Sequence, residues 1–323
     1  GPAITGQPAD QSLCIGQAGA FTITSSGTYQ WQLSTDGGTT WSNISGATSA
    51  SYSVTGAANL NNNRYRCIVT GQCGSTTSSA ATLTVNPTTV ISSQPTGLAL
   101  CQGSSATFSV TAAGAGLAYQ WQVSTDAGAT WTAIPSANAA SYNIPSVTTA
   151  QNNSQYRCVV TGTCGSATSS AATLQVSANI TISTQPTSQT VCEATTISFT
   201  SGAAGSGITY QWQLSTDGGT TWTNLSNGGV YSGATAATLT VTGVLPTQNG
   251  YRLRAVASNG TCTPGISNAA TLSVNTFPSI NTQPTSVTVC EGGSATFSVA
   301  ATTGVGVLSY QWQFSTNGIT YTN

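Results

Sequence analysis

A chain of 323 residues with only five basic and six acidic side chains, no Lys, His or Met, and a net charge of -1 has no field that could steer it toward nucleic acid, an anionic membrane or a charged substrate. The absence of His and Lys removes the ordinary general base near neutral pH and the Schiff-base lysine, and no stretch approaches the roughly 18 apolar residues of a membrane span. Neither nucleic-acid binding nor membrane insertion is expected.

In chain order, residues 3–15 read as a split edge strand kinked at Pro8, because proline cannot donate to a ladder. Residues 16–19 turn, and 20–24 alternate as a half-buried strand. Tyr29 to Ser34 place Tyr29, Trp31 and Leu33 on one face and Gln30 and Gln32 on a wet one. An Asp-Gly-Gly turn leads into a strand over 39–44, another follows at 50–54, and the Asn-rich link at 59–63 delivers a strand over 64–71. A run over 78–85 closes the unit. Alternating Trp, Tyr, Val, Ile and Leu supply enough apolar surface to fold, so disorder is not expected.

The phrase Tyr29-Gln30-Trp31-Gln32 recurs from Tyr119, from Tyr210 and from Tyr310. Its tryptophans, Trp31, Trp121, Trp212 and Trp312, are 90, 91 and 100 residues apart. Each unit is large enough to be a domain, which gives domains at 1–86, 87–176 and 177–274 and the N-terminal half of a fourth at 275–323, read as a truncation.

About seven short strands per unit, with turn signals between them, indicate an all-β sandwich. Tyr65-Arg66-Cys67 resembles the tyrosine corner of the immunoglobulin fold, and Trp31 resembles its strand-C tryptophan. Tyr156-Arg157-Cys158 repeats the corner, and Tyr251-Arg252-Leu253 repeats it with the cysteine replaced. The Gln-Pro openings at 7, 94, 185 and 283, the cysteine turns and the Tyr-Gln-Trp-Gln strands resemble tandem immunoglobulin-like repeats of large surface proteins in Bacteroidota-type bacteria, often exported by the type IX route. That resemblance implies head-to-tail domains in an extracellular adhesin or filament, although a fold does not fix a function.

The resemblance also frames the cysteines. An immunoglobulin bridge would join strands B and F, yet the strand-B positions read as facing the corner are Ile23, Val110, Ser201 and Val299, so Cys67 and Cys158 are expected as free buried thiols. The turn cysteines (14, 101, 192, 290) and the F–G cysteines (73, 164, 262) remain. In such a sandwich these two turns lie at opposite poles, about 23 Å apart along a seven-residue strand, beyond the roughly 7 Å that a disulfide permits. Staples between consecutive domains, Cys14 with Cys164 and Cys101 with Cys262, are therefore favoured. Pairing within each domain and free thiols stay open. Either bridged case implies an oxidising, extracytoplasmic setting.

Ser34 to Trp41, Ser124 to Trp131 and Ser215 to Trp222 match the Asp-box hairpin of sialidase-type propellers. A sialidase needs clustered arginines and a Tyr/Glu pair, whereas this chain has five arginines over three repeats and only Glu193 and Glu291. The expected role is structural, with each Asp accepting turn amides and the Trp packing over the hairpin. Asp36, Asp126 and Asp217 are expected to lie near Arg66, Arg157 and Arg252. No Cys-x-x-Cys or Asp-x-Asp cluster suggests a metal, and neither catalytic residues nor a cofactor are expected. Three roles fit: a non-catalytic extracellular stalk or filament, whose partners are neighbouring domains or subunits; an adhesin binding surface glycan or protein, with Trp41, Trp131 and Trp222 stacking on sugars if exposed; or accessory domains of a larger secreted enzyme.

Overall fold

The computed structural model describes residues 1–303 and 306–323. It forms two compact units, Gly1–Val176 with the first two repeats and Ser177–Asn323 with the rest. The first repeat sets the pattern for both.

The edge strand splits at the buried Pro8 into β1 (Ile4–Gly6) and β2 (Gln11–Cys14). β3 (Ala18–Thr22), β4 (Thr24–Ser25), β5 (Thr28–Ser34), β6 (Ser42–Asn43), β7 (Ser51–Thr55), β8 (Arg64–Gly71), β9 (Gly74–Thr77) and β10 (Ala81–Asn86) follow. One sheet runs β2-β10-β8-β5-β6, with β9 also on β8, while β1 pairs β4 and β3 pairs β7 on the other side. β2 is parallel to β10, which puts Cys14 beside Asn86 at the end of the last strand. The fold is therefore an all-β sandwich with a split first strand that contributes to both layers. The expected strand over 39–44 shrinks to Ser42–Asn43, because the Asp turn consumes the residues before it, and the expected final strand begins at Ala81.

Repeated sequence features acquire local causes. The Gln7 side-chain oxygen accepts from the Ser79 amide at 2.8 Å, and Gln94 and Gln185 do the same for Ser170 and Asn268. Each Gln-Pro opening thus satisfies a backbone donor just ahead of the last strand. In the Asn-rich link, the Asn61 side chain accepts from the Val85 amide at 2.9 Å, and Asn62 adopts a left-handed φ of 67°, which asparagine tolerates better than most residues. Asn152 and Asn153 repeat both features.

The core tryptophans Trp31, Trp121 and Trp212 are fully buried. Each indole N–H still finds a carbonyl, those of Ser49, Ala139 and Ala236 at 2.9 Å. Phe21 stacks on Tyr65 with ring centres 4.6 Å apart, and Phe108 on Tyr156 at 4.7 Å. Phe21 and Phe108 of strand B thus pack on the corner tyrosines, while Ile23 and Val110, two positions further on, are buried in the same clusters as Cys67 and Cys158.

The third repeat departs from the reading of its corner. Trp212 lies opposite Ala255 and Leu214 opposite Leu253, whereas Trp31 lies opposite Cys67 and Leu33 opposite Tyr65. Leu253 thus takes the slot of the corner tyrosine and Ala255 that of the cysteine, so Tyr251-Arg252-Leu253 is not the equivalent of Tyr65-Arg66-Cys67. The strand begins two residues further on than the tripeptide suggested. Apolar residues fill the core at both slots, and hydrophobic register prevails over the local match.

In the fourth repeat Ser279–Thr282 pairs with Ala300–Thr302 as β1 does with β4. Among the described residues of 275–323 there are no counterparts of β7, β8 and β10, and Trp312 is 49% exposed beside an open groove of about 570 Å³.

Candidate functional site

Two constellations recur: a turn holding Asp, Trp and Arg on the outer face of the larger sheet, and cysteines at the ends of the sandwich.

The turn between β5 and β6 is organised by Asp36. Its carboxylate accepts from the Thr39 and Thr40 amides at 3.0 and 2.9 Å, from the Thr40 hydroxyl at 2.6 Å and from the Ser34 hydroxyl at 2.7 Å. Gly37 and Gly38, with φ of 72° and 99°, supply the left-handed backbone that lets these amides converge. Asp217 holds the same set, and Asp126 does so with Thr130 and Ser124. Hydrogen bonds from Thr40 and Thr221 hold Asp36 and Asp217 well below the usual carboxylate range, and those from Thr130 bring Asp126 to about 2.

These folded-state pKa values lie below the unfolded value near 3.9, so each carboxylate contributes stability that is present above about pH 4 and lost as pH falls through the folded pKa. At pH 3 all three turn carboxylates are expected to remain ionised. A ¹³C NMR titration checks this, and midpoints near 4 would mean that the turn donors do not engage them.

The indole N–H of Trp41 donates to the Gly38 carbonyl at 3.0 Å, closing the turn, and Trp131 and Trp222 repeat the bond. All three rings are half-buried. The guanidinium of Arg66 lies 4.1 Å from the Trp41 ring centre, that of Arg157 4.1 Å from Trp131 and that of Arg254 4.0 Å from Trp222, each contact worth about 0.5–1 kcal/mol at an exposed site. The Nε of each arginine donates at 2.8 Å to a glutamine, Gln32, Gln122 or Gln213. Gln30 donates to the Trp31 and Ile44 carbonyls. The face expected to be wet is thus roofed by a Gln–Arg–Trp stack.

Beside the expected placing of Asp36, Asp126 and Asp217 near Arg66, Arg157 and Arg252, the structure gives Arg66 and Arg157 a stacking role on Trp41 and Trp131. The carboxylates are used inside their own turns, and in the third repeat the stacked arginine is Arg254. Arg252 lies by the Asp217 turn, as expected, where a Cβ added at Gly219 would meet its Nη1 at 3.2 Å. Sequence reasoning missed that these arginines stack on the turn tryptophans and are held there by the strand glutamines. Their signal was present as Gln32, Gln122 and Gln213 inside the repeated strand.

The cysteines fall into three groups. Cys14 is bonded to Cys164 across the joint of the first two repeats, with Cα atoms 5.6 Å apart and a sequence separation of 150. Cys101 and Cys262 are disulfide-bonded as well. Cys67 and Cys158 are free and fully buried, and burial pushes their thiol pKa values up, which keeps them protonated and inert. Cys73, Cys192 and Cys290 are free and exposed. Among the described residues no group of three or more acidic or cysteine side chains gathers to hold a metal ion, and no helix is long and apolar enough to cross a membrane.

A domain of unknown function (DUF8696) matches residues 5–87, 90–178 and 181–276. The chain belongs to this family. Its three copies span the three complete sandwiches. The I-band fragment I67-I69 from titin superposes with a TM-score of 0.58 at 15% identity, covering 84% of this chain and 98% of that one. An E-to-A variant of the same titin fragment gives 0.56 at 15% identity, covering 84% and 98%. At such identities these likenesses establish the immunoglobulin-like fold alone. Endoglucanase C of Cellulomonas fimi (strain ATCC 484) is 32% identical over 181 residues, 54% of this chain and 16% of that protein. The chain spans about one sixth of the length of that relative.

Proposed function

We propose that the DUF8696 repeats form a non-catalytic spacer of a secreted or cell-surface bacterial protein, stiffened by bonds between successive domains. The observation that carries this reading is the Cys14–Cys164 bridge. It ties two sandwiches whose linker, between β10 and the next strand at Val90, is only Pro87 to Thr89. A disulfide of this kind persists in an oxidising compartment, and three linker residues leave little room for swivelling. The type IX-exported surface proteins that the repeats resemble are the setting we propose, with neighbouring domains or subunits as the partners.

The tryptophans support a spacer over an adhesin. A sugar-stacking platform presents an open aromatic face, whereas each of these rings carries a guanidinium on one face and spends its N–H on its own turn. Against a catalytic role, hydrogen bonds from their own turns hold the three turn carboxylates below the usual carboxylate range, away from the pKa that suits a general acid near neutral pH.

A second reading, accessory domains of a larger secreted glycan-active enzyme, is favoured by the alignment with endoglucanase C. Both readings expect the chain alone neither to release reducing sugar nor to be retained on insoluble cellulose. Retention that disappears in Trp41→Ala, Trp131→Ala and Trp222→Ala combined would instead establish the adhesin reading.

A further inference from the structure

The bridge from Cys14 to Cys164 has a free thiol close behind it in the chain. Cys158 lies six residues before Cys164, on the strand Ser154–Gly162 that leads into the Cys164 turn. In the folded repeat the two cannot meet. Cys158 sits opposite Trp121 in the ladder and is 0% exposed in the core. The four steps from it to Gly162 already span about 13 Å of extended strand, beyond the roughly 7 Å that a disulfide permits. Burial also raises its thiol pKa, which keeps the reactive thiolate scarce.

Unfolding removes these obstacles together. Once the second repeat opens, Cys158 and Cys164 end a flexible segment with a separation of six, whereas Cys14 and Cys164 close a loop with a separation of 150. Loop closure weakens as about the three-halves power of length, so in the unfolded chain the short loop is favoured over the long one by on the order of 100-fold. The other buried thiol, Cys67, is 53 positions from Cys14 and 97 from Cys164, and the same scaling leaves it roughly 20-fold behind.

We propose that the bridge is conditional on the fold of the second repeat: when that repeat unfolds, Cys158 takes Cys164 from Cys14, and the staple between two sandwiches becomes a short loop within one. The Cys158 thiolate attacks the Cys164 sulfur. A Cys158–Cys164 bond forms as the Cys14–Cys164 bond breaks, the electron pair leaves on the Cys14 sulfur, and Cys14 takes up the proton that Cys158 gave. No external oxidant or reductant is consumed. The change is one-way, because a repeat with Cys158 tied to Cys164 cannot return Cys158 to its place opposite Trp121. Unfolding thus releases the joint for good. Such reshuffling takes seconds to hours, so a brief pull still meets the intact bridge. The inference rests on the bridge and the buried thiol, not on the spacer role.

The third repeat supplies the contrast. Cys262 is also disulfide-bonded, but Ala255 stands opposite Trp212 where Cys158 stands opposite Trp121, and no cysteine lies between Cys192 and Cys262.

The test first alkylates the folded chain, which blocks the exposed Cys73, Cys192 and Cys290 and spares the buried Cys67 and Cys158. The chain is then unfolded in guanidinium chloride without reductant at about pH 8, near the thiol pKa, quenched with acid at intervals and mapped for linked peptides. A pair containing Cys158 and Cys164 is expected to replace the pair containing Cys14 and Cys164, reaching an excess on the order of 100-fold. It should appear before any pair in which Cys262 has changed partner. Cys158→Ala, which places there the residue that the third repeat carries, should exchange at least about 10-fold more slowly, and Cys67→Ala should behave like the parent. After the denaturant is diluted away, the parent should regain only part of its near-ultraviolet circular dichroism, and Cys158→Ala should regain it fully. Persistence of the Cys14 pair in the unfolded parent, its absence at the outset, equally fast exchange in the folded chain, or undiminished exchange in Cys158→Ala would each overturn the proposal.

Discussion

Trp121→Ala is expected to destabilise the second repeat by about 3–5 kcal/mol, the range for removing a fully buried aromatic side chain. Trp121 is 0% exposed and packs in one cluster with Phe108, Tyr156, Cys158 and Leu174. The substitution also orphans the Ala139 carbonyl, which loses its 2.9 Å bond from the indole, at roughly 1 kcal/mol or more. A domain of this size has about 5–15 kcal/mol in all, so most of its margin disappears. Because the chain holds several domains, one midpoint does not describe it. Calorimetry should show one transition shifted down by roughly 15 °C or more, with the others kept. Trp131→Ala is the control. That ring is half-buried on the outer face and should cost far less, and equal effects of the two substitutions would contradict the division into core and turn tryptophans.

That division was legible in the sequence because it follows from chemistry along a single strand. Trp31 alternates with Gln30 and Gln32, so its face and burial follow from the period of two, and Asp36 precedes two glycines and two threonines that can only close a turn around it. What escaped depended on contacts between strands. Arg66 could be placed on β8, but its choice between Asp36 and Trp41 was decided by Gln32, which faces it across the ladder and takes its Nε. The corner of the third repeat was misread for a related reason. Tyr251 preserves the local pattern, yet Leu253 and Ala255 are the residues that fit between Trp212 and the opposing layer. Register is set by the whole buried face, which a tripeptide does not report.

The bridge between the first two repeats has a mechanical consequence. Its closed loop runs from Cys14 to Cys164 and takes in nearly all of both sandwiches, from the end of β2 to the F–G turn of the second. Force applied at the chain termini can break the sandwiches' noncovalent bonds, but it cannot draw out the residues inside the loop. With a sequence separation of 150 between the two cysteines and about 3.3–3.6 Å per extended residue, roughly 500 Å of chain is withheld. Single-molecule stretching should therefore yield at least about 500 Å more extension after reduction than before it. Cys14→Ser separates this bridge from the one that holds Cys101: the variant should lengthen without reductant and lengthen further with it. Cys73→Ser, which removes an exposed thiol outside any bond in this chain, should behave like the parent. Equal extension before and after reduction would show that the bridge is not formed in solution, and the spacer reading would lose the observation on which it rests.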